Sequence, residues 1–285
     1  MIRYRLDLAY EGTAFAGWAR QPNLRTAQGV LEDALATVLR RSEPVPVVVA
    51  GRTDSGVHAT GQVVHVDLSE AEHAALLKKS PRDTQDEHPL ARRLNGVLGA
   101  ESDLVIHRAQ LAPAGFDARF SAIWRRYEYR VADRNAPRDP LRRRFTLQFP
   151  RPLDLEAMQA ASRELLGLND FAAYCKPREG ATTIRTLQAF DWRRDADGVL
   201  VAFVQADAFC HSMVRALVGA AIAAGSGRIA IQRPGELLRE QQRSSEFAVV
   251  PAHGLTLIQV GYPADDELAA RAEATRARRQ ATELD

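Results

Sequence analysis

Two hydrophobic periods alternate along this chain, and they do so twice in similar order, which points to an α+β architecture built from two related halves. Residues 2–10 alternate apolar and polar, as a half-buried strand does. Residues 27–40 place Val30, Leu31, Leu35, Val38 and Leu39 at helical spacing, with Thr26 as N-cap. The run VPVVVA, residues 45–50, is apolar throughout and predicts a buried central strand. A strand over QVVHVDL follows, then a polar stretch from Ser69 to Pro89 that reads as a surface insertion. A short helix at Pro89–Leu98 leads to the strand DLVIHRAQL, completing a ferredoxin-like order of elements. The next strand, RRYEYRV, puts Tyr127, Tyr129 and Val131 on one face.

A second round begins with RRFTLQFP as a strand and a helix over Leu153–Leu166. A hairpin turning at DADG, a helix from Met213, another at Pro234–Glu240 and the strand LTLIQVGY complete it. These patterns predict an N-terminal half over 1–140 carrying the polar loop discussed below and a C-terminal half over 141–263. Residues 264–285 form a charged tail that reads as a peripheral helix or a frayed end.

With 46% hydrophobic and 26% charged residues, the composition is that of a globular domain protein. No apolar run approaches the roughly 20 residues of a membrane span, and the start lacks a signal-peptide h-region, so the cytoplasm is the expected compartment. Cys175 and Cys210 are far apart in sequence and lack CxxC spacing, which argues against a disulfide scaffold or a zinc cluster. His58, His65, His107 and His211 show no metal-ligand spacing, and His58 is expected to brace its loop. Net charge is only +2, yet all but three of the 38 basic residues are arginine. Base-composition bias explains part of that excess. The stretch Trp124–Arg144 still holds eight arginines against three acidic residues, interleaved with aromatics, a pattern that fits a solvated charged face and equally a grip on RNA backbone and unstacked bases.

The polar loop AGRTDSGVHATGQ, Ala50–Gln62, follows directly on the apolar run. Its glycines fit a tight structural turn. Three chemistries also fit. An aspartic-protease dyad needs a second carboxylate, and Asp54-Ser55-Gly56 is the sole D-[ST]-G in the chain. A serine-protease triad needs a nucleophilic serine in a glycine-rich turn, a context Ser212 lacks. A single carboxylate acting as nucleophile or base remains, with Arg52 two positions from Asp54 to keep it ionised. Arg215 lies in the first turn of the helix begun by Ser212, where positive charge opposes the helix dipole; it reads as a plain surface arginine or as one with an anionic partner, Asp54 or a phosphate.

Six segments together resemble the tRNA pseudouridine synthase A family: YEGTAFAGWARQPNLRTAQGVLEDAL, AGRTDSGVHATGQVVH, FDARFSAIWRRYEYRV, LLGLNDFAAYC, AFCHSMVRALVG and GLTLIQVGYP. They run in family order and cover nearly the whole chain. The resemblance implies two α+β halves sharing a continuous mixed, largely antiparallel sheet, a homodimer, and neither cofactor nor metal. It implies isomerisation of uridine to pseudouridine at positions 38–40 of the tRNA anticodon stem-loop. By position, Asp54 matches the catalytic aspartate and Arg52 the arginine implicated in displacing the target base. Tyr127 matches the tyrosine that stacks on the target uracil, and Arg215 the arginine paired with the catalytic carboxylate. Ala19 and Ala27 stand where the family commonly has glutamine and valine, and the Ser69–Pro89 stretch is longer than usual. Two competing readings are a non-catalytic RNA-binding protein of the same fold and a pseudouridine synthase with another RNA target.

Overall fold

Burial of one face of strand β1 (Ile2–Tyr10) organises the first of two compact units in the computed structural model, which describes residues 1–78, 88–176 and 182–281. This unit comprises residues 1–123 and 258–281. Tyr4, Leu6, Leu8 and Tyr10 alternate inward along β1 and are buried, as the period of two predicts. Helix α1 (Ala27–Leu39) starts where Thr26 Oγ1 accepts the Gly29 amide at 3.2 Å. It turns Ala27, Leu31, Ala34 and Leu35 into the core. Strands β2 (Val48–Val49) and β3 (His58–Leu68), helices α2 (Glu70–Leu77) and α3 (Pro89–Leu98), and strand β4 (Leu104–Leu111) follow. β1 lies antiparallel to both β3 and β4, and β2 lies antiparallel to β3 on the side away from β1. The order β4–β1–β3–β2 is the expected ferredoxin-like arrangement.

Two expectations change here. The run at 45–50 is not a central strand: it shrinks to the two residues of β2, and its burial alternates, with Val47 and Val49 inside and Val48 exposed. Pro44 and Pro46 bring no amide hydrogen to a ladder, so apolarity alone could not extend the strand. The Ser69–Pro89 insertion opens with α2, held by a capping box between Ser69 and Glu72. Arg41 clamps the Glu72 carboxylate through both oxygens, and mainly for that reason its pKa falls to about 2. Residues 79–87 of the insertion lie outside the described residues.

The charged tail is a docked helix, Leu268–Ala281. Leu268 and Ala272 are buried, Ser121 Oγ donates to the Leu268 carbonyl at 3.0 Å, and Arg276 pairs with Asp117 at 2.7 Å. Gly115 (φ +76°) passes so close that a Cβ there would lie 2.5 Å from Ala269 Cβ.

The second unit covers Trp124–Leu257. It contains β5 (Trp124–Ala132), β6 (Leu147–Gln148), α4 (Leu155–Arg163), β7 (Gly167–Asp170), β8 (Ile184–Arg194), β9 (Leu200–Ala206), α5 (Met213–Gly225) and α6 (Arg233–Glu240). The chain leaves it within β10 (Leu255–Gly261). β5, β9, β8 and β7 are antiparallel neighbours in that order, and β6 runs parallel to β5. The division between units falls before Trp124, ahead of the junction expected at 140–141, because β5 pairs with β9 from Arg125↔Ala206 to Val131↔Leu200. The strand expected over 143–150 is reduced to β6.

Apart from Arg215, every residue of α5 is buried. Ser212 occupies the N-cap position, yet its side chain makes no capping bond; the backbone there is left-handed (φ 64°). Cys175 and Cys210, expected to stay unlinked, form a disulfide with Cα atoms 5.7 Å apart. Both units are open, mostly antiparallel sheets with helices packed on them. No described helix is long and apolar enough to cross a membrane.

Candidate active site

The loop carrying Asp54 joins β2 to β3, and its shape follows from a few contacts. Asp54 O accepts the Val57 amide at 3.1 Å, closing a four-residue turn whose third position is Gly56 (φ +78°). Thr53 is buried between exposed Arg52 and half-buried Asp54. The Thr53 hydroxyl bonds the Tyr10 hydroxyl at 2.8 Å, and its carbonyl accepts the Trp18 amide at 3.0 Å. Gln62, wholly buried, donates to the Tyr10 hydroxyl at 3.2 Å and to Gly51 O at 2.9 Å. Burial pushes the Tyr10 phenol up to about 12, so it stays a neutral hydrogen-bonding strut.

The other side of the loop rests on residues 12–17. Ser55 Oγ donates to Phe15 O at 3.2 Å, and the Gly12 amide donates to His58 Nδ1 at 2.8 Å. An accepting Nδ1 fits the bracing role expected of His58. At Gly12 a Cβ would lie 2.1 Å from Val57 O, and at Gly17 (φ +96°) it would lie 3.2 Å from Thr53 O. The two glycines of YEGTAFAG thus let one chain segment lie against the backbone of the next. The result is a carboxylate on a turn whose polar backbone is tied down by buried partners.

In the second unit, Tyr127 lies on β5 and Arg215 on α5. Tyr127 is 7% exposed, and its ring meets Phe209 edge to face at 5.2 Å between centroids. Arg215 Nε donates to Val250 O at 2.8 Å, and Arg215 O accepts the Val250 amide. The neighbouring Tyr129 hydroxyl donates to Pro251 O at 2.8 Å. Burial raises the Tyr129 phenol, and the Arg215 charge opposes that rise, so these two side chains share one neighbourhood. Arg52 and Asp54 therefore belong to the first unit, Tyr127 and Arg215 to the second.

Several arginines of 124–144 serve the protein itself. Arg125 donates to Asp207 O, Arg130 to Asp195 and Arg142 to Asp197. Arg126 bonds Gln205 and lies over the Trp124 and Phe203 rings at 4.5 and 4.8 Å. Arg134 and Arg138 are exposed. Tyr10, Thr53 and Gln62 support the loop without being marked as supports in the sequence. Phe209 lies within the motif AFCHSMVRALVG, where nothing in the sequence marks its ring partner Tyr127. Gln62 is the one with a legible signal, a polar side chain directly ahead of the apolar pair Val63 and Val64.

Comparison with known proteins identifies the family. Residues 161–263 match the family model described as tRNA pseudouridine synthase, which places the chain among the isomerases. The tRNA pseudouridine synthase A of Leifsonia xyli subsp. xyli is 63% identical over 96% of each chain. That of Streptomyces griseus subsp. griseus is 56% identical over 96% of this chain and 93% of its own. That of Mycobacterium leprae is 51% identical over 96% and 94%. The chain belongs to the tRNA pseudouridine synthase A family.

Proposed function

We propose that this enzyme converts uridine to pseudouridine at positions 38–40 of the tRNA anticodon stem-loop, with Asp54 as the reacting carboxylate. The reaction breaks the bond from ribose C1′ to N1, rotates the uracil and joins C1′ to C5. The C5 proton leaves and N1 regains one, so composition and oxidation state are unchanged and no cofactor or metal enters. What the chemistry needs is an ionised carboxylate that attacks C1′ or C6, or that takes the C2′ proton on a glycal route. A half-buried aspartate on a turn braced by Tyr10, Thr53 and Gln62 suits that task, and this is the observation that carries the reading.

The other roles follow. A stem uridine must leave its stack, at a cost of a few kcal/mol. Stacking on the Tyr127 ring returns about 1–3 kcal/mol of it. Arg52 stands exposed beside Asp54 and displaces the base, and Arg215 is the cation paired with the carboxylate. Exposed Arg134 and Arg138 contact phosphates. The enzyme works in the cytoplasm as a homodimer.

Tritium release from tRNA labelled at uridine C5 tests the activity, and mapping pseudouridine in the product tests the positions. Release with pseudouridine at 38–40 is the expected result. No release defeats the catalytic reading, and product elsewhere defeats the assignment of site.

A further inference from the structure

The connection from β9 to α5, Asp207–Ser212, is tied at nearly every residue. Asp207 Oδ1 accepts the Thr186 and Ala208 amides at 3.0 and 2.7 Å, and the Asp207 amide donates to Thr186 O. Cys210 is linked to Cys175, His211 O accepts the Lys176 amide at 3.0 Å, and Cys210 O accepts the Met213 amide at 3.0 Å. Arg125 Nη1 donates to Asp207 O at 2.8 Å, fastening β5 to the same connection two residues before Tyr127. These ties fix the backbone on both sides of Phe209, whose ring meets Tyr127 at 5.2 Å with the planes 88° apart.

A tyrosine ring turns about a broad, roughly two-fold torsion. Stacking on a base requires one particular ring plane. A perpendicular neighbour on a fixed backbone selects that plane, since any large rotation of Tyr127 breaks the edge-to-face contact. We propose that Phe209 is a positioning residue, which sets the plane of the Tyr127 ring before the target uracil stacks on it. The proposal rests on the function proposed above and adds a residue to it. Because Phe209 acts through Tyr127, its contribution falls on the step after tRNA has bound.

The test uses the full-length enzyme with Phe209→Leu and Phe209→Tyr. Phe209→Leu should lower kcat about two- to tenfold, the span an edge-to-face pair provides. Its tRNA Kd should stay within about twofold. Phe209→Tyr, which keeps a ring, should restore kcat to within about twofold of the parent. Wild-type kcat in the Leu variant, a loss confined to Kd, or failure of the Tyr variant to restore kcat overturns the proposal. If Phe209→Leu does not fold, Phe209→Met carries the same expectation. A readout free of turnover is the 19F resonance of 3-fluorotyrosine at position 127, assigned by its disappearance in Tyr127→Phe. It should shift or change width in Phe209→Leu. An unchanged resonance overturns the ring-positioning claim whether or not the parent enzyme releases tritium, whereas an inactive parent defeats only the assignment of function.

Discussion

The Asp54 loop and the Phe209 connection each hold a side chain at a chain reversal, and they do it by different means. The first is fastened by buried hydrogen bonds from Tyr10 and Gly12 and from Gln62 at its own end, with glycines allowing backbone to touch backbone. The second is fastened by a disulfide, short main-chain bonds and the start of a helix buried apart from one arginine. The hydrogen-bonded loop leaves its carboxylate partly open to solvent, as the proposed chemistry requires. The covalent one holds a ring against a ring, where shape matters more than charge.

Four experiments press on that contrast, beginning with the largest expected effect. Asp54→Ala should abolish tritium release while tRNA Kd changes by less than about threefold; retained turnover removes the carboxylate from the chemistry. Cys210→Ser opens a crosslink spanning 35 positions and should lower unfolding free energy by about 2–4 kcal/mol in urea titrations. A midpoint equal to the parent's shows that the connection owes its rigidity to its main-chain bonds instead. Gly12→Ala drives a methyl towards Val57 O and should cost about 1–3 kcal/mol, with turnover falling more than Cys210→Ser causes. Equal turnover in those two variants erases the distinction between the loops.

The fourth effect, spread over more than two pH units, concerns acid. Burial, aided by Arg3, pushes the His65 pKa from 6.5 down to about 4. Between those values the unfolded chain binds a proton there that the folded chain refuses. This contribution is complete above about pH 6.5 and fades as the pH falls towards 4. His65→Asn, whose amide oxygen can replace Nδ1 as acceptor for the Ala118 amide, should flatten stability against pH over that window. A slope matching the parent's assigns the acid sensitivity to other groups.

Much of the fold was legible because local chemistry and global packing agree. Thr26 caps α1, Pro89 opens α3, DADG turns the β8–β9 hairpin, and Tyr127, Tyr129 and Val131 share a buried face as their spacing predicts. Legibility failed where two local rules compete. The valines of 45–50 favour a strand, but Pro44 just before them and Pro46 among them withhold ladder donors. It failed again where contact depends on tertiary distance alone. Cys175 and Cys210 carry no spacing signal, and a lone phenylalanine in an apolar motif does not announce a perpendicular ring. The Asp54 loop stood out because polar residues crowd one short glycine-rich span, while its supports are spread from Tyr10 to Gln62.

The first unit needs residues 258–281, so the ribosome must pass all of Trp124–Leu257 before that unit has its full complement of chain. At typical elongation rates the wait is on the order of ten seconds. During it the nascent N-terminal portion lacks the helix that seats on Gly115 and Asp117. A messenger cut short between Arg215 and that helix therefore yields an unfinished protein even though it encodes every residue assigned to the chemistry.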